Sequence, residues 1–124
     1  MATDNRCCTI APYFRVHDGA MERFRDLLDR FVRKTKQEPG CLFYGFSFDG
    51  DEVHCREGYE DADAALAHLG SVAPLIEEAL TLADLVRLEV HGPGPELEKL
   101  REPMAAFGPR FFTLELGFRR QGVN

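Results

Sequence analysis

The order of its elements predicts an α+β fold for this chain: a ferredoxin-like βαββαβ antiparallel sheet with both helices on one face, plus an extra C-terminal helix and strand. Three observations predict it. Strand-like runs and one-sided helical stripes alternate in the order strand, helix, strand, strand, helix, strand. Asp49-Gly50-Asp51 is a tight-turn signal that folds the second and third strands into an antiparallel hairpin. The run Cys41 to Phe48 (CLFYGFSF) is apolar on both of its faces. Leu42, Tyr44, Phe46 and Phe48 project one way, while Cys41, Phe43, Gly45 and Ser47 project the other. Both faces of that strand therefore want cover.

Each element has its own signals. Residues 1–7 read as a polar tail. Thr9 to Arg15 is the first strand, in which Pro12 implies an edge position or a bulge. Asp18 is a suitable N-cap for the helix that follows. From Met21 onward, Phe24, Leu27, Leu28, Phe31 and Val32 form a one-sided apolar stripe among charged residues. Glu38-Pro39-Gly40 ends this helix and turns the chain into the two-faced strand. Glu52 to Tyr59 returns antiparallel. Asp61 caps an alanine-rich helix from Ala62 to about Leu69. Gly70-Ser71 interrupts it, and Val72 to about Leu82 continues helically with Pro74 in a first turn. Leu85 to His91 alternates as a strand. Gly92-Pro93-Gly94-Pro95 is a rigid turn cluster, and Glu96 to Arg101 starts a short helix with Leu97, Leu100 and Met104 inward. Pro103 interrupts that helix. Phe111 to Phe118 is the last strand, apolar at Phe112, Leu114, Leu116 and Phe118. The expected organisation is one domain over 1–124, with a core at 8–91 and an extension at 92–124.

A chain of 124 residues can cover one face of a sheet with its own helices. The other face is expected to recruit a second copy, giving a homodimer built face to face through the sheet. Leaving Phe46 and Phe48 in water would forgo roughly 1.5–3 kcal/mol each.

Bulk composition narrows the partners. The net charge is −6, and no Lys/Arg run is present, which argues against a nucleic-acid backbone as partner. No stretch approaches the roughly 20 apolar residues of a membrane span, and the first residues carry no apolar run for a signal peptide. A soluble, cytoplasmic protein is expected. Cys7, Cys8, Cys41 and Cys55 contain no CxxC pair and read as free thiols acting as small apolar residues. No metal site is expected. His54 and Cys55 face opposite ways on a strand and cannot readily share one ion.

The sequence resembles the antibiotic biosynthesis monooxygenase (quinol monooxygenase-like) family of the dimeric α+β barrel superfamily. Glu38-Pro39-Gly40-Cys41 entering the second strand, Glu57 to Asp61 (EGYED) leaving the third, and Ala62 to His68 (ADAALAH) carry the likeness, which covers about residues 8–91. The resemblance implies oxidation of a small phenol or quinol by O₂ with no cofactor. Such a reaction needs an apolar chamber, a base for the phenolic proton, and support for developing negative charge.

Four residues are candidates for the chemistry. His68 matches the family's second-helix histidine, and its ordinary pKa near 6.5 suits a general base. His54, Arg56 and Tyr44 share one sheet face with Phe46 if the hairpin places residues 46 and 54 opposite each other. Phe46, Tyr59, Phe24 and Phe31 are the candidate substrate-binding residues. Each has a plainer reading. His54 can be a hydrogen-bonded interface histidine, and Arg56 can pair with Glu57 or Glu115 of either chain. His68 can be a capping or surface residue, and the aromatics can simply fill the core. The alternative functions are a non-catalytic ligand-binding or stress-associated dimer and, more remotely, haem degradation or isomerase or decarboxylase chemistry. Haem-degrading relatives use a tryptophan, and this chain has none.

Overall fold

The computed structural model describes residues 5–120. Its elements are β1 (Cys8–Val16), α1 (Met21–Thr35), β2 (Cys41–Asp49), β3 (Glu52–Tyr59), α2 (Ala62–Leu82), β4 (Ala83–Gly92), α3 (Gly94–Met104), a 3-10 turn (Ala105–Phe107) and β5 (Arg110–Thr113). Of the expected polar tail, residues 1–4 lie outside the described residues. The sheet order is β2-β3-β1-β4-β5. The first four strands pair antiparallel, and β5 adds parallel to β4, so the five-stranded sheet is mixed.

The helices bury one face of the sheet. Val53, Cys55, Glu57 and Tyr59 of β3 alternate inward beneath them, beside Cys8, Ile10 and Val16 of β1. Phe24, Leu27, Leu28 and Phe31 of α1 meet Val72, Leu75 and Ala79 of α2 in one part of the core. Leu97, Leu100 and Met104 of α3 close the other part over Val90 and Tyr59. The chain passes very close to α2 at Gly40, where a Cβ would lie 2.6 Å from Cβ of Ala64. Only glycine lets the turn into β2 lie against the helix there.

Several expectations are corrected. The hairpin turns on two residues, Gly50 (φ 61°) and Asp51, with Asp49 opposite Glu52. Phe46 therefore faces Cys55, and Ser47 faces His54. Residues 46 and 54 are not partners, and His54 and Arg56 lie on the face opposite Tyr44 and Phe46. Phe46 is packed by the chain's own helix, whereas Phe48 remains 37% exposed. Phe46 packs on Phe31 of α1 with ring centroids 6.2 Å apart, and the Arg25 guanidinium of α1 lies 3.9 Å from the Phe48 ring centroid. The face left bare carries Phe43, Tyr13, His54 and Arg56 instead.

Pro12 sits in a central strand, beside a register shift between Tyr13 and Phe14 that serves as the bulge. Ala20, not Asp18, is the N-cap of α1, without a side-chain hydrogen bond; Asp18 and Gly19 (φ 77°) form the turn before it. Asp61 does cap α2, accepting from the Ala64 amide at 2.9 Å. That helix runs through Gly70 and Pro74 without interruption. Pro74 lacks the amide that would bond the carbonyl of Gly70, so the helix forgoes one hydrogen bond there. The last strand stops at Thr113, opposite Gly92, because β4 ends there and Pro93 offers no amide. Beyond it Leu116 is 86% and Phe118 79% exposed.

Candidate active site

Between the helices and the sheet lies a cavity of about 80 Å³. Phe24, Leu28 and Phe31 of α1, Val72 and Ile76 of α2, and Leu88 of β4 supply much of its apolar wall. Its polar end is made by Tyr44 of β2, Glu57 of β3 and His68 of α2. Among the described residues no Lys or Arg lines it. The volume is about half of the roughly 150 Å³ that accommodates benzene in an engineered core.

The strand period places Glu57 here. It falls in phase with Val53, Cys55 and Tyr59, so a carboxyl group points into the core at 5% exposure. The Tyr59 hydroxyl donates to Glu57 Oε1 at 2.5 Å. His68 projects from α2 onto the same spot, with Nε2 3.6 Å from Glu57 Oε1. Its other nitrogen, Nδ1, lies 3.0 and 3.1 Å from the two carboxylate oxygens of Glu38, in the turn before β2. The Tyr44 and Tyr59 rings flank the imidazole at centroid distances of 5.3 and 5.1 Å.

Burial sets the electrostatics. It pushes the Glu57 carboxyl up to about 7, against the opposing hydrogen bonds from Tyr59 and Cys55, with Glu38 raising it further. Burial pulls His68 down from its ordinary value, with Glu38 acting the other way. The Tyr59, Tyr44 and Cys55 side chains are all pushed well up by burial, and the Glu57 charge adds to each. The site thus holds, near neutral pH, a carboxyl able to exist in either protonation state beside an uncharged imidazole. This arrangement can give a proton at one atom and take one at another. Among the described residues no group of three or more His, Cys, Asp or Glu is arranged to hold a metal ion.

The structure brings together His68, Tyr44, Phe24 and Phe31 of the residues singled out from the sequence. Tyr59 stands one step behind, holding Glu57, and Phe46 packs against Tyr44 and Phe31. His54 and Arg56 are elsewhere. His54 stacks on Tyr13 at 4.3 Å with Nδ1 3.1 Å from the Pro12 carbonyl oxygen, and Arg56 lies over Phe43 at 4.2 Å. Glu57 and Glu38 were legible only as parts of turn and strand motifs. The in-phase position of Glu57 between Cys55 and Tyr59 is the signal that identifies it. No helix among the described residues is long and apolar enough to cross a membrane.

Residues 9–78 match the family model described as antibiotic biosynthesis monooxygenase. Among solved structures, MupZ from Pseudomonas fluorescens is 50% identical, with a TM-score of 0.91 over 97% of this chain and 99% of its own. Rv0793 from Mycobacterium tuberculosis is 26% identical, with a TM-score of 0.62 over 70% of this chain and 94% of its own. SnoaB from Streptomyces nogalater, named as a cofactor-independent oxygenase, is 18% identical, with a TM-score of 0.58 over 68% of this chain and 88% of its own, a likeness of fold. No curated protein is significantly similar to the chain.

Proposed function

The chain belongs to the antibiotic biosynthesis monooxygenase family, and from that premise we propose that it is an enzyme that moves protons on a small, largely apolar molecule, with Glu57 and His68 as its acid–base pair. One observation carries this reading: the buried Glu57 carboxyl stands at the polar end of an apolar cavity with Oε1 3.6 Å from His68 Nε2, where burial pushes it up to about 7. Groups whose pKa lies near the working pH make the most effective acids and bases. Protonated Glu57 gives its proton to an oxygen of the substrate, while His68 Nε2 takes one from the substrate or from water. Tyr44 offers a further hydroxyl at the polar end. Isomerisation or hydrolysis of a neutral compound fits this set.

Charge favours that redox-neutral chemistry over oxygenation. Making a phenolate and passing an electron to O₂ puts negative charge into the cavity. Among the described residues the lining supplies Glu57 and no Lys or Arg, and Glu38 adds a second carboxylate behind His68. The second reading, favoured by family membership, is cofactor-independent oxidation of a quinol or phenol by O₂. His68 or Glu57 would then be the base, and Phe24 and Phe31 would pack on the ring. In either case even a substrate the size of benzene must spread α1 and α2, since the cavity is only about 80 Å³. A panel of quinols, enones and lactones, run in air and under argon, separates the two. Turnover under argon without gain of an oxygen atom supports acid–base chemistry. Oxygen uptake with gain of one oxygen atom in the product replaces it with oxygenation. Binding without turnover favours a ligand-binding role.

A homodimer through the bare sheet face belongs to the same reading. Phe43, Tyr13 and Phe112 on that face are partly exposed, with Arg56, Arg87 and Arg110 stacked beside them. Sedimentation equilibrium at micromolar concentration should report twice the chain mass, and Phe43→Glu should shift it toward the monomer. A monomeric wild type removes the dimer.

A further inference from the structure

Glu38 takes no part in the proton steps just described, yet it is tied to them by geometry. Its backbone is fixed on both sides: its amide donates to the Thr35 carbonyl at 2.9 Å, and its carbonyl accepts from the Cys41 amide at 3.2 Å. Its carboxylate presents both oxygens to His68 Nδ1. The opposite nitrogen of the same ring faces Glu57. His68 is thus held between a carboxylate at 17% exposure and a carboxyl at only 6%. The groups facing the imidazole are Glu38 from the α1–β2 turn, Tyr44 from β2, and Glu57 and Tyr59 from β3. On its outer side Glu38 borders an open pocket of about 290 Å³ shared with Lys36 and Cys41.

A neutral imidazole carries one proton, and the hydrogen bond at one nitrogen decides which. A carboxylate at Nδ1 accepts and cannot donate, so the ring proton is drawn there and Nε2 is left with its lone pair. We infer that Glu38 is the positioning residue of this site: its carboxylate fixes His68 with Nδ1 protonated and Nε2 bare toward Glu57, and it balances the imidazolium that forms when Nε2 takes a proton. The inference rests on the reading of Glu57 and His68 as an acid–base pair. Proton counting closes within the site. Glu57 gives one proton to the substrate, Nε2 takes one from substrate or water, and Nε2 hands that proton back to the Glu57 carboxylate. Nδ1 keeps its proton throughout, which only a fixed acceptor at Glu38 enforces.

The test reads the ring directly, by ¹⁵N NMR of His68 in the wild type, Glu38→Gln and Glu38→Ala. The wild type should show a protonated Nδ1 and a bare Nε2. Glu38→Gln should keep that tautomer, since its amide oxygen still accepts, but His68 should titrate at lower pH for want of the negative charge. Glu38→Ala should lose the single tautomer, and formate entering the outer pocket should restore it. In turnover, Glu38→Ala should lower kcat by about 10²- to 10⁴-fold with KM little changed, and formate should recover part of it. An unchanged tautomer in Glu38→Ala overturns the assignment. If that variant does not fold, an unchanged His68 titration in Glu38→Gln overturns it equally. Tautomer control with undiminished turnover leaves Glu38 as the group that orients His68 and overturns the acid–base reading instead.

Discussion

Glu57→Gln is expected to suppress turnover and, at the same time, to stabilise the folded protein in alkali. Loss of a positioned acid or base lowers kcat by about 10²- to 10⁴-fold. The stability change follows from linkage. The carboxyl of Glu57 ionises at about 7 in the fold, raised from 4.5 by burial. A raised pKa means that the folded state holds the proton more tightly than the unfolded chain does. That contribution is fully present below about 4.5 and is lost as pH rises through about 7. Above that range, keeping an ionised Glu57 buried costs roughly 3 kcal/mol. Glutamine never ionises, and its amide oxygen can still accept from the Tyr59 hydroxyl. The urea midpoint of Glu57→Gln should therefore exceed that of the wild type at pH 8.5 and come close to it at pH 4.5.

His68 works in the opposite sense. Its folded pKa is lowered, chiefly by burial, so its contribution is present above its unfolded value of 6.5 and is lost as pH falls. Above 6.5 the His68 contribution is complete and only that of Glu57 still changes, so the stability of the wild type should fall as pH rises from 6.5 through about 7. A Glu57→Gln difference that is the same at both pH values removes the buried ionisation from the account, and with it the acid assigned to the site.

Much of this arrangement was legible in the sequence, for reasons that differ residue by residue. The stripe of Phe24, Leu28 and Phe31 has one physical solution, a helix laid on a sheet, and these three side chains line the cavity. The family-pattern histidine, His68, also arrives at the site. What failed is the hairpin register. One residue of difference in the turn exchanges the faces of an entire strand, so His54 and Arg56 moved out as Cys55 and Glu57 moved in. Composition could not report this, because both faces of β2 are apolar enough to be buried. The same ambiguity assigned Phe46 to a partner chain when Phe31 of α1 packs on it. Glu57 was hidden by its type: a carboxylate on a strand reads as solvent-facing, and only the phase of its neighbours argues otherwise. The end of β5 depends on where β4 runs out of hydrogen-bonding backbone, which no residue between Leu114 and Phe118 announces.

Phe24→Ala should be the most destabilising single truncation in the α1 stripe. Phe24 is completely buried, meets Phe14 edge-on with centroids 5.7 Å apart, and borders the cavity. Removing a buried phenylalanine ring costs about 3–5 kcal/mol, a large part of the roughly 5–15 kcal/mol that holds a domain of this kind together. Here the new void joins one that already exists, so the surroundings cannot easily close over it, and the cost belongs at the upper end. The enlarged cavity also makes a second, opposite effect available. A small aromatic such as benzene or indole binds only the folded state, and at a hundred times its Kd it returns about 2.7 kcal/mol. Urea titrations of the wild type and Phe24→Ala, each with and without indole, should show a large fall in midpoint and its partial recovery only in the variant. Leu116→Ala, on the exposed segment, should stay within about 0.5 kcal/mol of the wild type. A Phe24→Ala loss below about 1 kcal/mol would mean that α1 does not press this ring against the sheet, and the wall of the site would have to be sought elsewhere.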